Sequence, residues 1–179
     1  MTEDNGTTYS FDVCSQCKSI CCQDAKPPLT ANRKNMLKTY IEQQKINLKD
    51  VFTTEDYTHP ATDKHLYCLL FNKQTGKCMV HPVKPETCVA GPVTFNINFC
   101  TKKVEWFLKT KELCAYAGVL YNNKVDFQEH FKVAKKQIMT LIGQLSADEL
   151  RALMKIDEPQ TFKFCEDDLP KEIAKKLGL

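Results

Sequence analysis

Four cysteines within nine residues near the start of the chain constrain its fold more than any other feature. They follow the pattern C-x2-C-x3-C-C and occupy Cys14, Cys17, Cys21 and Cys22. Two cysteines separated by two residues are a common chelating pair in zinc sites and in iron–sulfur proteins. The side chains of adjacent cysteines seldom close on one tetrahedral ion without strain. The pair Cys21–Cys22 therefore favours either two metal sites that share this segment or a multi-iron cluster.

Further cysteines extend the pattern towards the middle of the chain. Nine residues separate Cys68 from Cys78 and again Cys78 from Cys88, and Cys100 and Cys114 follow. Thiolates are soft ligands that select zinc, Cu(I) and iron–sulfur clusters over harder ions. Because the chain has only four histidines, sulfur must supply most of the ligands. The sequence thus predicts a cysteine-ligated metal centre.

Composition limits the cellular compartments and the classes of partner that are expected. No apolar run approaches the ~20 residues that span a bilayer, and the first ten residues are polar and acidic where a signal peptide would be basic and then apolar. We therefore expect a cytoplasmic protein with no membrane contact, in which clustered cysteines bind metal rather than form disulfides. The net charge of +3 comes from scattered lysine pairs, so nucleic-acid binding is not expected.

The first two thirds of the chain mix helical and strand patterns. Apolar spacing predicts a helix over residues 30–41 and a short second helix over residues 48–52. Residues 65–71 are typical of a buried strand or a ligand loop. Alternation in residues 93–99 and 104–108 predicts a β-hairpin. Its aromatic side chains are expected in the core.

The last third has a helical pattern. Residues 127–145 carry apolar side chains at helical spacing. Ser146 and Glu149, three residues apart, form a capping box that begins another helix, and Gly178 is placed to end the last one. His130, on the long helix, is expected at the surface, as is His59.

These patterns predict an α+β fold: a small cysteine-rich metal-binding core with a short hairpin, plus a helical C-terminal part. The predicted division is a cysteine-cluster metal-binding domain over residues 1–120 and a helical extension, packed on it, over residues 121–179. No internal repeat is evident.

Two blocks of the chain resemble a known family. The four-cysteine run and the later segment CMVHPVKPETCVAGP, from Cys78 to Pro92, are similar to the YkgJ-type cysteine-cluster family of zinc- or iron-chelating domains. The resemblance covers about residues 12–120. Four letters depart from the family pattern in the second block: Lys84 and Val89 stand where arginine is usual, Gly91 replaces an aromatic residue, and His81 replaces the commoner tyrosine.

Spacing and resemblance together give the predicted ligand set. It comprises Cys14, Cys17, Cys21, Cys22, Cys68, Cys78, Cys88 and Cys114. Cys114 enters because it matches the last ligand position of the family, and Cys100 could replace it or join it. His81 is either a ligand or a residue that supports one. Cys165 lies far from the others in the sequence and is expected to be structural.

Three functions remain open. The first is a metal-binding protein with an iron–sulfur cluster, or two zinc ions, that serves as an electron-transfer or accessory subunit of a larger protein or enzyme complex. The second is a structural zinc module for protein interaction. The third is a protein-modifying enzyme related to the flagellin lysine methylases of the family. It is the least favoured, because the chain has only six glycines and no glycine-rich nucleotide loop, and no catalytic residue is assigned.

Overall fold

The computed structural model describes residue 13, residues 20–158 and residues 160–179 of the protein. It confirms the α+β class, with helices and small antiparallel sheets of two or three strands. The predicted ligands Cys14 and Cys17 lie outside the described residues.

The first long helix begins where the sequence predicts it. Helix α1, Ala31–Gln43, starts at the N-cap Thr30, whose hydroxyl accepts a hydrogen bond from the backbone N–H of Arg33, and it buries Leu37 and Ile41. The prediction of a second helix over residues 48–52 is wrong.

A small hairpin occupies that region instead. Strand β1, Phe52–Thr54, pairs antiparallel with β2, Thr58–Pro60. Lys45 and Asp50 adopt positive φ angles of 52° and 48°, which turn the backbone out of the right-handed helical region. The β-branched Thr53 and Thr54 then favour an extended strand.

A second small hairpin carries one of the cysteines. Strand β3, Phe71–Asn72, pairs with β4, Lys77–Cys78. The Asn72 side chain closes the turn between them by accepting hydrogen bonds from two backbone N–H groups. A short 3-10 helix, His81–Val83, and helix α2, Glu86–Ala90, follow.

The largest sheet has three antiparallel strands in the order β5-β6-β7. Strands β5, Val93–Asn98, and β6, Lys103–Lys109, form the predicted hairpin. Strand β7, Thr161–Asp168, was not predicted; it pairs with β6 and places Cys165 opposite Trp106. Its partner lies more than fifty residues earlier, so no local turn marks the pairing.

Four helices complete the structure. They are α3, Ala115–Asn122; α4, Lys124–Gln144; α5, Ala147–Leu153; and α6, Lys171–Leu177. The capping box is confirmed, since Ser146 and Glu149 exchange hydrogen bonds between side chain and backbone at the start of α5. Gly178 ends α6 with a positive φ of 75°. Across the described residues, no helix is both long and apolar enough to cross a membrane.

Buried apolar side chains form two clusters in the described parts of the chain. The N-terminal cluster has six buried members: Leu29, Leu37, Ile41, Val51, Leu70 and Val80. The C-terminal cluster has sixteen and joins the hairpin β5–β6 to α3, α4, α5 and α6. Helix α2 lies between the clusters in sequence, and its Ala90 belongs to the second. The predicted division after residue 120 stays a prediction.

Candidate metal centre

Backbone pairing brings the first cysteine segment to Cys68. Cys21 and Cys22 end a 3-10 helix, Ile20–Cys22. The Cys68 N–H donates to the Cys22 carbonyl at 2.9 Å, and the neighbouring residues Gln23 and Tyr67 form an antiparallel bridge. Cysteines 46 positions apart in the sequence thus lie on adjacent backbone segments.

The hairpin β3–β4 returns the chain from Cys68 to Cys78. The Phe71 N–H donates to the Cys68 carbonyl at 2.9 Å, and Phe71 lies opposite Cys78 in the strand register. Both cysteines are half-buried and pack on the edge of the N-terminal apolar cluster. The nine-residue spacing between them therefore corresponds to one chain reversal.

Cys88 is presented by helix α2. Glu86 and Ala90 are buried in this helix, whereas Cys88 is exposed. At 100° per residue, the direction of Cys88 around the helix axis differs by about 160° from that of each of these neighbours. The face opposite the buried one therefore carries the thiol.

Electrostatic interactions join five thiols into one group, which we call the five-cysteine group: Cys21, Cys22, Cys68, Cys78 and Cys88. A hydrogen bond from the Cys22 thiol lowers the pKa of Cys21 to about 6, and the nearby Lys109 and Lys84 act in the same direction. The same hydrogen bond raises the pKa of Cys22. Of these two adjacent thiols, Cys21 is therefore the one whose ionised form is favoured.

The other three thiols hold their protons more tightly. Burial raises the pKa of Cys68 to about 11 and also raises that of Cys78. For Cys88, burial raises the pKa and the neighbouring Cys78 and Cys68 thiols add to the effect. Although Cys88 keeps some solvent access, its thiol lies among enough protein to be desolvated. Metal binding would have to release these protons, so affinity should increase with pH.

The donor set fits a soft metal, because it consists of sulfur atoms that can all become thiolates. Within residues 20–158 and 160–179, no three Cys, His, Asp or Glu side chains form a group that could hold an ion by themselves. The predicted set also requires Cys14 and Cys17, which belong to the undescribed segment. The assignment of the eight ligands stays a prediction.

Cys114 lies at the N-cap of α3 and packs partly on the C-terminal apolar cluster. Its N–H donates to the Thr110 carbonyl at 3.0 Å. Thr110 directly follows Lys109, the residue whose charge acts on Cys21. The role of Cys114 as a ligand stays a prediction.

Cys100 and Cys165 occupy different surroundings. Cys100 is exposed in the turn between β5 and β6, where its N–H donates to the Asn98 side chain. The length of β5, about 17 Å, separates this turn from the start of the strand near Cys88. Cys165 packs against the C-terminal cluster in β7.

The histidines differ from the expectation. His59 is only 2% exposed and its Nδ1 lies 2.9 Å from the Pro60 carbonyl oxygen, so the prediction of a surface residue is wrong. His130 is half-buried, and its Nε2 donates to the Ala90 carbonyl at 2.9 Å. Both residues are polar, but aromatic rings pack edge-on against them, Tyr57 against His59 and Tyr116 of α3 against His130. His81 begins the 3-10 helix and its predicted role is untested.

The burial of His130 leads us to expect that the stability of the protein depends on pH. Burial lowers the pKa of His130 below its ordinary value of 6.5, so the folded state prefers the neutral ring. This contribution is present above pH 6.5 and is lost as the pH falls through the folded-state pKa. Urea unfolding should show that the free energy of unfolding falls less between about pH 7.5 and about pH 5.5 in His130→Gln than in the unsubstituted protein. Equal declines would exclude a contribution from this ring.

The charged residues near the cysteines in the sequence and in the fold were not predicted. Lys84 and Lys109 lower the pKa of Cys21, and the buried Glu86 lies two residues before Cys88. Lys84 and Glu86 stand within the second cysteine block, which was a usable signal. Lys109 is brought there by the end of β6, and nothing in its local sequence marks it.

Comparison with known proteins gives one match. No curated protein and no solved structure matches the chain. The resemblance seen in the cysteine blocks is confirmed by a family model that matches residues 13–115. Because this match covers more than half of the chain, the protein belongs to the CxxCxxCC family, described as a putative zinc- or iron-chelating domain.

Proposed function

We propose that the protein holds an iron–sulfur cluster through its clustered cysteines and acts in the cytoplasm as an electron-transfer or accessory subunit of a larger protein complex. The observation that carries this proposal is the five-cysteine group, in which both members of the adjacent pair Cys21–Cys22 interact with Cys78 and Cys88 from later segments. Membership of a zinc- or iron-chelating family supports the metal.

The number of thiols favours a centre with more than one metal ion. A structural zinc ion accepts four ligands, whereas the group already contains five thiols before Cys14, Cys17 and Cys114 are added. Cys22 interacts with Cys78 and Cys88 as well as with Cys21. Such a set suits a cluster whose separate irons each accept thiolates.

The surroundings of the group would influence a bound cluster. When bound, an iron–sulfur cluster exchanges electrons at a potential set by burial, net charge and hydrogen bonds to sulfur. Lys84 and Lys109 place positive charge near Cys21, where they favour the thiolate. The partial exposure of Cys21 and Cys88 gives the group access to the surface, as contact with a redox partner requires.

A structural zinc module is the second candidate. Its support is the N-terminal half, where the strands β1 to β4 have only two or three residues and the apolar cluster has six buried members. A region with so little core commonly depends on metal to fold. The same eight thiolates would supply two zinc ions with four ligands each.

Metal analysis decides between the two. We expect anaerobically purified protein to be brown, to absorb broadly near about 400 nm, and to contain iron with acid-labile sulfide. Protein purified in parallel under air should lose this absorbance while the mass of its polypeptide chain stays unchanged. A colourless protein with stoichiometric zinc and no sulfide would contradict the iron–sulfur proposal and support the zinc module. A protein with neither metal would contradict both.

A further inference from the structure

A buried carboxylate lies two residues before Cys88. Glu86 is the first residue of α2 and is only 2% exposed. Burial of a carboxylate costs free energy unless it is hydrogen-bonded or paired with a cation. Its partners therefore determine how firmly the start of α2 is held.

Those partners come from the first turn of α1. The Thr30 hydroxyl donates to Glu86 Oε1 at 2.8 Å, and Arg33 Nε lies 3.4 Å from the same oxygen. The carboxylate thus also lies at the electropositive end of α1. Oε2 is buried and has no hydrogen-bond partner among the described residues, so the known attachment depends on Oε1.

The other end of α2 is held by a different helix. The Ala90 carbonyl accepts a hydrogen bond from His130 of α4. Arg33 continues the connection, since its guanidinium donates to Gln137 Oε1 of α4 at 2.8 Å. Glu86 and Ala90 are four residues apart and therefore share one face of α2. Fixing both residues sets the rotation of the helix and leaves Cys88 on the opposite face.

We propose that Glu86 is a positioning residue for the metal centre: through Thr30 and Arg33 its carboxylate fixes the rotation of α2 and so holds Cys88 towards the other four cysteines. The role of Cys88 as a ligand rests on the proposed function. The attachment of α2 to α1 does not, so the two parts can be tested separately.

The experiment compares variants of the full-length protein as purified. Glu86→Ala removes the attachment, and Glu86→Gln is a milder variant in case Glu86→Ala fails to fold. Thr30→Ser retains the hydroxyl and should behave like the unsubstituted protein. Glu55→Gln is the matched control, because Glu55 is an exposed carboxylate that pairs with Lys26 at 2.7 Å.

Two measurements are made on each variant. Hydrogen exchange of residues 85–91 reports the attachment of α2. Within this segment the N–H groups of Val89 and Gly91 donate to backbone carbonyls and are therefore protected while α2 is held. Resistance of bound metal to a competing chelator reports how tightly the centre holds its metal. For Glu86→Ala we expect at least about tenfold faster exchange in residues 85–91 and about 10–100-fold weaker metal retention, as for other residues that orient ligands. Exchange in residues 134–142 of α4 should stay unchanged, which excludes global unfolding.

Each outcome is decisive. Unchanged exchange in residues 85–91 of both Glu86 variants would overturn the attachment. Faster exchange with unchanged metal retention would overturn the positioning role while leaving the proposed function intact. If the unsubstituted protein holds no metal, the proposed function fails and with it the positioning role, whereas the exchange data still decide whether Glu86 holds α2.

Discussion

Replacing Cys88 by Ala is expected to remove most of the bound metal. Cys88 stands on the exposed face of α2 and interacts with Cys78, Cys68 and Cys21. Loss of a residue that only orients a ligand costs about 10–100-fold in metal affinity, so loss of a ligand should cost at least about 100-fold. Metal per chain, measured by elemental analysis after gel filtration, provides the test.

Two other cysteines are the matched controls. Cys100→Ala and Cys165→Ala should keep full metal content, because Cys100 lies in the far turn of the hairpin β5–β6 and Cys165 packs in β7. Cys114→Ala is expected to behave like Cys88→Ala. Full metal content in Cys114→Ala together with metal loss in Cys100→Ala would show that Cys100 is the eighth ligand. Metal loss in Cys165→Ala would contradict the division into ligands and structural cysteines.

Removing the metal with a strong chelator is expected to unfold the N-terminal half and spare the C-terminal half. The N-terminal apolar cluster has six buried residues in the described structure, against sixteen in the C-terminal cluster. Metal binding in small structural sites contributes about 10–16 kcal/mol, which such a small core cannot replace. Amide hydrogen exchange in residues 61–79 should therefore become nearly unprotected, whereas α4 should keep its protection.

Circular dichroism gives a second reading of the same experiment. Most helical residues belong to α3, α4, α5 and α6, so the helical signal should largely survive metal removal. The unsubstituted protein with metal restored is the control for reversibility. Unchanged protection of residues 61–79 after complete metal removal would show that the centre is peripheral to the fold.

Local patterns in the sequence predicted several parts of the fold. The long helix α4, the capping box at Ser146 and the stop at Gly178 depend on residues within one or two turns of each other. The hairpin β5–β6 depends on alternation across a short turn. The error at residues 48–52 has the same origin, because three apolar residues within five positions cannot separate a short helix from a strand.

Glu86 and His59 show where local patterns fail. Each residue is polar, and each is only 2% exposed because other residues cover it. For Glu86 the cover comes from α1, more than fifty residues earlier. Burial is a property of the packed chain, and only long-range contacts can reveal it.

The identities and spacings of the cysteines determined the chemistry of this protein, since a thiolate prefers a soft metal wherever it lies. The sequence also determined the family, through the two cysteine blocks. Only the tertiary structure decided how the cysteine segments are arranged: the pairing of Cys68 with the Cys22 backbone, the reversal to Cys78 and the rotation of α2 that presents Cys88. The group joins segments up to 67 positions apart, from Cys21 to Cys88, and its geometry depends on the packing of the elements between them.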